Sequence, residues 1–77
     1  MDYIAIGSRI RQIRKLANMT QQQLAELCDC SHSLIGHIEK GSRVPSIKTI
    51  CKISAALHVS LDFLLTNQLH ERKCPYL

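Results

Sequence analysis

The chain has 77 residues, a formal net charge of +4 and 45% apolar residues. A chain of this length makes one small domain that buries about 60% of the surface its unfolded form exposes, and the apolar content excludes wholesale disorder. No apolar run approaches the ~20 residues needed to span a bilayer, so a membrane is not an expected partner.

The opening MDYIAIGSRIRQIRK carries an acid at Asp2 and charges inside its apolar pattern. That is unlike a secretory leader, and a cytoplasmic location is expected. Ile6, Ile10, Ile13 and Ala17 recur at helical spacing, which predicts a first helix from about Ile4 to Asn18. Arg9, Arg11, Arg14 and Lys15 are clustered in the same segment.

A second helix is expected to begin at Thr20. Thr20 and Gln23 match a capping box, in which each side chain satisfies a backbone amide of the other residue. Leu24, Ala25 and Cys28 then face inward. Asp29 stands where the chain must reverse, and its short polar side chain tolerates the left-handed conformation. Ser31 is the expected cap of a third helix that stops at Gly41. Ser46 caps a fourth helix with Ile47, Ile50, Ile53, Ser54 and Leu57 in helical period. Ser60 caps a fifth carrying Leu61, Leu64 and Leu65, with Asp62 near its positive end. The pattern fades from about Asn67.

Five short helices and no strands predict an all-α fold, a compact five-helix bundle with loops of ordinary length. The segment at residues 20–40 reads as helix, tight turn and helix, the helix-turn-helix arrangement whose second helix can enter the major groove of DNA. The expected domain covers residues 1–66. Residues 67–77 form a polar tail and a candidate dimer contact.

Successive helical residues lie about 100° apart. In the third helix this puts Leu34, Ile35 and Ile38 on one side and His32, Ser33, Gly36, His37 and Lys40 on the other. Short hydrogen-bonding groups, imidazoles and a cation suit base edges and phosphates. A neutral imidazole donates or accepts at a base edge, and a protonated one donates to guanine N7 or a phosphate. Gly36 allows a close approach to the groove floor, or simply occupies a solvated face. His58 and His70 read as ordinary solvated residues.

In such a motif the first turn of the second helix abuts the DNA backbone, so Thr20, Gln21 and the free amides there are candidate phosphate ligands. Arg43, just beyond the third helix, is a second clamp, and Arg11 and Lys48 are weaker candidates. Glu39 flanks the buried side of the third helix, and Arg14 lies near the end of the first. They are expected to pair across the helix interface, where a guanidinium can grip a carboxylate with two hydrogen bonds.

The four cysteines are Cys28, Cys30, Cys51 and Cys74. Cys28, Cys30 and His32 are potential metal ligands, but the spacing lacks the paired C-x₂₋₄-C pattern of structural zinc. Thiols acting as small hydrophobes are expected instead, with no metal and no cofactor. No cysteine has an activated setting, no phosphate loop is present and the acids are scattered, so no enzyme is expected.

These motifs, IGSRIRQIRK, MTQQQLAELC, SHSLIGHIEKGSRVPS and ISAALHVSLDFLL, together resemble the phage repressor/Cro-type, or xenobiotic-response-element, helix-turn-helix family. The resemblance runs from Ile6 to about Leu65. It implies a lambda repressor-like DNA-binding domain and a small transcriptional regulator, a repressor, acting as a homodimer on a pseudo-palindromic operator in double-stranded DNA. By position, Gln21 resembles the family's phosphate-binding glutamine. His32, Ser33 and His37 resemble base-contacting positions, and Arg14 with Glu39 the interhelical ion pair. No small-molecule inducer is expected to bind this domain. Asp29 replaces the usual turn glycine, Gly36 a common polar residue and Ser54 a packing alanine, while histidines replace commoner arginine or glutamine. A different class, an antitoxin or assembly module that docks another protein, would rest on the tail and on exposed residues around Phe63.

Overall fold

The computed structural model describes residues 2–66. These form α1 (Tyr3–Leu16), α2 (Gln21–Leu27), α3 (His32–Lys40), α4 (Ile47–Leu57) and α5 (Leu61–Thr66), with no strand among the described residues. The tail at 67–77, with its candidate dimer contact, His70 and Cys74, lies outside them.

Local chemistry starts each helix. The Asp2 carboxylate accepts from the Ala5 amide at 3.1 Å, so α1 begins one residue earlier than expected. Thr20 and Gln23 close both halves of the capping box, at 3.0 and 2.8 Å. Ser31, Ser46 and Ser60 accept from the amides of Leu34, Thr49 and Phe63 as their spacing predicts.

Helix ends depend on left-handed residues. Asp29 and Gly41 take φ of 56° and 80°, as anticipated. Asn18 and His58 do so too, at 58° and 59°, and neither was anticipated. The turn at Asn18 is the reason α1 stops at Leu16 rather than Asn18: the amides of Asn18 and Met19 fold back onto the carbonyls of Lys15 and Arg14. Ala17 is therefore an exposed cap and does not extend the apolar stripe.

The core is drawn from every helix: Ile6 and Ile10, Leu24 and Ala25, Ile35 and Ile38, Ile50, Ile53 and Leu57, and Leu64, with Cys28 beside them. Ile47, in the first turn of α4, departs from its expected apolar face at 79% exposed, and Ile13, Leu34, Leu61 and Leu65 are half-buried against the margin of the core. Ser54 is half-buried without cost because its hydroxyl donates to the Cys51 carbonyl at 3.0 Å.

Helix α3 lies against both α1 and α2, while α4 and α5 close the other side of the bundle. Gly7 sets the α1–α3 approach. A Cβ there would overlap the Ile38 carbonyl oxygen and stand 2.8 Å from that of Glu39. Only glycine lets the two backbones come this close.

Candidate nucleic-acid interface

Helices α2 and α3 join through a turn at Cys28, Asp29 and Cys30. The Cys30 amide donates to the Ala25 carbonyl at 3.0 Å, and Asp29 supplies the left-handed step. The turn fixes α3 across α2 with Ile35 and Ile38 inside, leaving His32, Ser33, His37 and Lys40 exposed. Leu34 straddles the boundary.

Under this face lies a chain of polar contacts. Arg14 and Glu39, each 6% exposed, pair through two hydrogen bonds: Nε to Oε2 at 2.6 Å and Nη2 to Oε1 at 3.1 Å. The remaining Arg14 nitrogen, Nη1, donates to the Met19 carbonyl at 2.7 Å. Gln21 Nε2 donates to Glu39 Oε1 at 3.0 Å, and Gln21 Oε1 meets His32 Nε2 at 3.0 Å. A buried ion pair on the α1–α3 seam thus holds, through one amide, the first residue of the outward face.

Gln21 therefore braces the site, a role that its spacing alone did not predict. One of its two amide hydrogens is bound to Glu39. Gln21, Gly36, Glu39 and Lys40 line a hollow of about 350 Å³ together with Arg11 of α1. The fold thereby brings Arg11 to the same side as α3, although it is far from α3 in sequence. Arg14 is neutralised by Glu39, leaving Arg11 and Lys40 as the cations of the hollow.

Gly36 faces Gln21. A Cβ at Gly36 would sit 3.7 Å from Gln21 Oε1, an ordinary contact. No internal clash demands glycine there, in contrast to Gly7. Thr20 is exposed, with its hydroxyl engaged as the cap of α2. Arg43 is exposed beyond the Gly41 stop, its amide donating to the His37 carbonyl at 3.3 Å. Lys48 is exposed in the first turn of α4, outside the hollow.

Ser42 is the neighbour of His37 that the sequence reading missed. Its hydroxyl lies 3.2 Å from His37 Nδ1 and donates to the His37 carbonyl at 3.1 Å. A serine directly after a glycine helix stop was the available signal.

The cysteines fall in three settings. Cys28 is buried, Cys30 half-buried and Cys51 exposed. Burial, reinforced by nearby Cys30, pushes the Cys28 thiol from 9.0 up to about 11, against a smaller opposing effect of Lys52. Burial also raises the Cys30 thiol. Both therefore act as packed thiols rather than nucleophiles. Phe63 is half-buried on α5, which weakens it as an exposed docking residue.

A five-helix bundle with a capped helix-turn-helix and a polar outward α3 defines a DNA-binding module. A helix-turn-helix family model, HTH_3, matches residues 10–64, and the chain belongs to that family of DNA-binding transcriptional regulators; it is not an enzyme. It is 39% identical over 75 residues to the control protein C.BamHI of Bacillus amyloliquefaciens, covering 91% of this chain and 93% of that protein. Its fold matches the restriction-modification controller C.AhdI of Aeromonas hydrophila at a TM-score of 0.79 and 32% identity, over 82% of this chain and 96% of that one. It matches the P22 c2 repressor in complex with a synthetic operator equally well, at 0.79 and 30% identity, again over 82% and 96%. No helix among the described residues is long and apolar enough to cross a membrane.

Proposed function

We propose that the protein is a sequence-specific regulator that binds a pseudo-palindromic operator as a homodimer and acts as a repressor or controller of transcription. The observation that carries this reading is the division of α3. Ile35 and Ile38 are buried, and His32, Ser33, His37 and Lys40 lie on one exposed face. The likeness to C.BamHI and C.AhdI, proteins described as a control protein and a restriction-modification controller, favours the controller role.

In this reading His32, Ser33 and His37 meet base edges, and Gly36 lets the helix backbone approach them. Thr20, Gln21, Lys40 and Arg43 take phosphates on either side, with Arg11 and Lys48 outside them. Two subunits place their α3 helices about 34 Å apart, one turn of DNA. An apolar hollow of about 230 Å³ lined by Tyr3, Pro45, Ile47 and Leu65, among others, offers area for a second subunit.

Selection from random duplex DNA tests the reading directly and should return two related half-sites. With about four phosphates neutralised per subunit, log K should fall against log salt with a slope of roughly −7. A slope near zero in a folded protein overturns it.

A further inference from the structure

Each histidine on the outward face of α3 has one ring nitrogen committed to a neighbour, and the chemistry of that neighbour decides where the proton sits. Glu39 is a carboxylate and, when ionised, accepts only. The Gln21 atom 3.0 Å from it must therefore be the amide nitrogen, which leaves the amide oxygen facing His32 Nε2 at 3.0 Å. An amide oxygen also only accepts. In the neutral ring the proton thus sits on His32 Nε2, and Nδ1 is bare.

Ser42 sets the opposite tautomer at His37. Its hydroxyl has a single hydrogen, which it donates to the His37 carbonyl at 3.1 Å. The 3.2 Å contact between Ser42 Oγ and His37 Nδ1 is then a hydrogen bond only when Nδ1 is the donor. His37 Nε2, at the exposed tip of the ring, is therefore bare.

We propose that His32 and His37 are held in opposite tautomers so that α3 presents two hydrogen-bond acceptors, and that the protein selects bases carrying an exocyclic amino group in the major groove. Adenine offers N6 and cytosine N4, whereas guanine and thymine present acceptors at the corresponding edge. The contacted strand should carry adenine or cytosine opposite each histidine. The inference rests on the DNA-binding reading above and adds the base class. Gln21 and Ser42 become positioning residues that act through the rings. The cations around this face, Lys40 on α3, Arg11 on α1 and Arg43 in the following loop, remain for phosphates.

Long-range proton–nitrogen NMR on the free protein at pH 8 reads the tautomers without DNA. The expected result is a proton on His32 Nε2 and on His37 Nδ1; the opposite tautomer at either ring overturns the proposal. Selection from random duplexes at the same pH locates the base pairs that lose preference in His32→Ala and His37→Ala. Deleting the amino group of the selected base, with purine for adenine or pyrimidin-2-one for cytosine, should weaken binding about tenfold. Binding that is unchanged when the amino group of each such pair is removed overturns the proposal. Ser42→Ala should lose most of the discrimination at the His37 position while its salt slope stays that of the parent; unchanged discrimination also overturns it. Absence of any salt-dependent duplex binding fails the regulator reading, and the NMR result still decides the tautomers.

Discussion

The guanidinium of Arg14 grips the carboxylate of Glu39 through two hydrogen bonds, at 2.6 and 3.1 Å, in a seam where each residue is only 6% exposed. The pair joins α1 to α3, and through Gln21 it reaches the residue that opens the outward face. Structural brace and candidate reading surface are one connected network.

Breaking one side of that pair should leave a buried charge unmatched. Glu39→Ala is expected to lower the unfolding free energy by about 3 kcal/mol. Arg14→Met combined with Glu39→Leu removes both charges together and should cost far less than Glu39→Ala. Urea denaturation of the two variants measures the difference. A double variant as unstable as the single one would mean that the seam depends on something other than charge matching.

Gly7 and Gly36 should respond oppositely to alanine. At Gly7 the added methyl meets the Ile38 and Glu39 carbonyls, which cannot move without separating α1 from α3. Gly7→Ala is expected to destabilise the fold by about 3 kcal/mol. Gly36→Ala meets the Gln21 side chain at 3.7 Å, an ordinary contact, and should stabilise the helix by about 1 kcal/mol. Thermal unfolding of both variants checks the contrast. Weaker DNA binding by the more stable Gly36→Ala protein would put that backbone at the groove.

Arg43 and His37 should fail in different ways on DNA. Arg43→Ala is expected to weaken binding to selected and random duplexes alike and to make the salt slope shallower by about 1 per subunit. His37→Ala should cost about 1–3 kcal/mol on the selected site and little on random DNA. Fluorescence anisotropy titrations at several salt concentrations separate these outcomes. An equal loss on both duplexes would reduce His37 to a backbone contact.

Cys28 gives the fold a dependence on alkaline pH. Its thiol is raised from 9.0 to about 11, mainly by burial, so the folded state holds the proton more tightly than the unfolded chain. The associated stability is complete below pH 9 and is lost as pH rises toward 11, by on the order of 1 kcal/mol at pH 10. Comparing the loss between pH 7 and pH 10 in the parent and in Cys28→Ala isolates this contribution. In the native state iodoacetamide should modify Cys51, which is exposed, well before Cys28, which is buried. Peptide mapping reads that order.

Helix starts were legible along the chain because a cap is a contact three residues long. Thr20 with Gln23, and Ser31, Ser46 and Ser60, each satisfy an amide within their own first turn. The buried face of α3 was legible for a similar reason, since a helical angle needs no partner to be counted. So was the Arg14–Glu39 pair, because few partners can satisfy a guanidinium and a carboxylate on facing apolar seams.

Local rules failed where another segment set the outcome. Ala17 and Ile47 have the right period but fall at helix ends that the rest of the bundle does not cover, and Asn18 and His58 turn left-handed to redirect the chain into its next helix. Nothing in the spacing of Gly7 reveals the α3 carbonyls pressed against it. The roles of Gln21 and Ser42 depend on atoms brought together by folding, since a side-chain amide or hydroxyl has no direction until its partners are in place. In Thr20–Gly41, periodicity and caps were enough to show which residues face outward. Only the packed helices decided which ring nitrogen each outward histidine leaves free, because that depends on Glu39, Gln21 and Ser42 meeting in space.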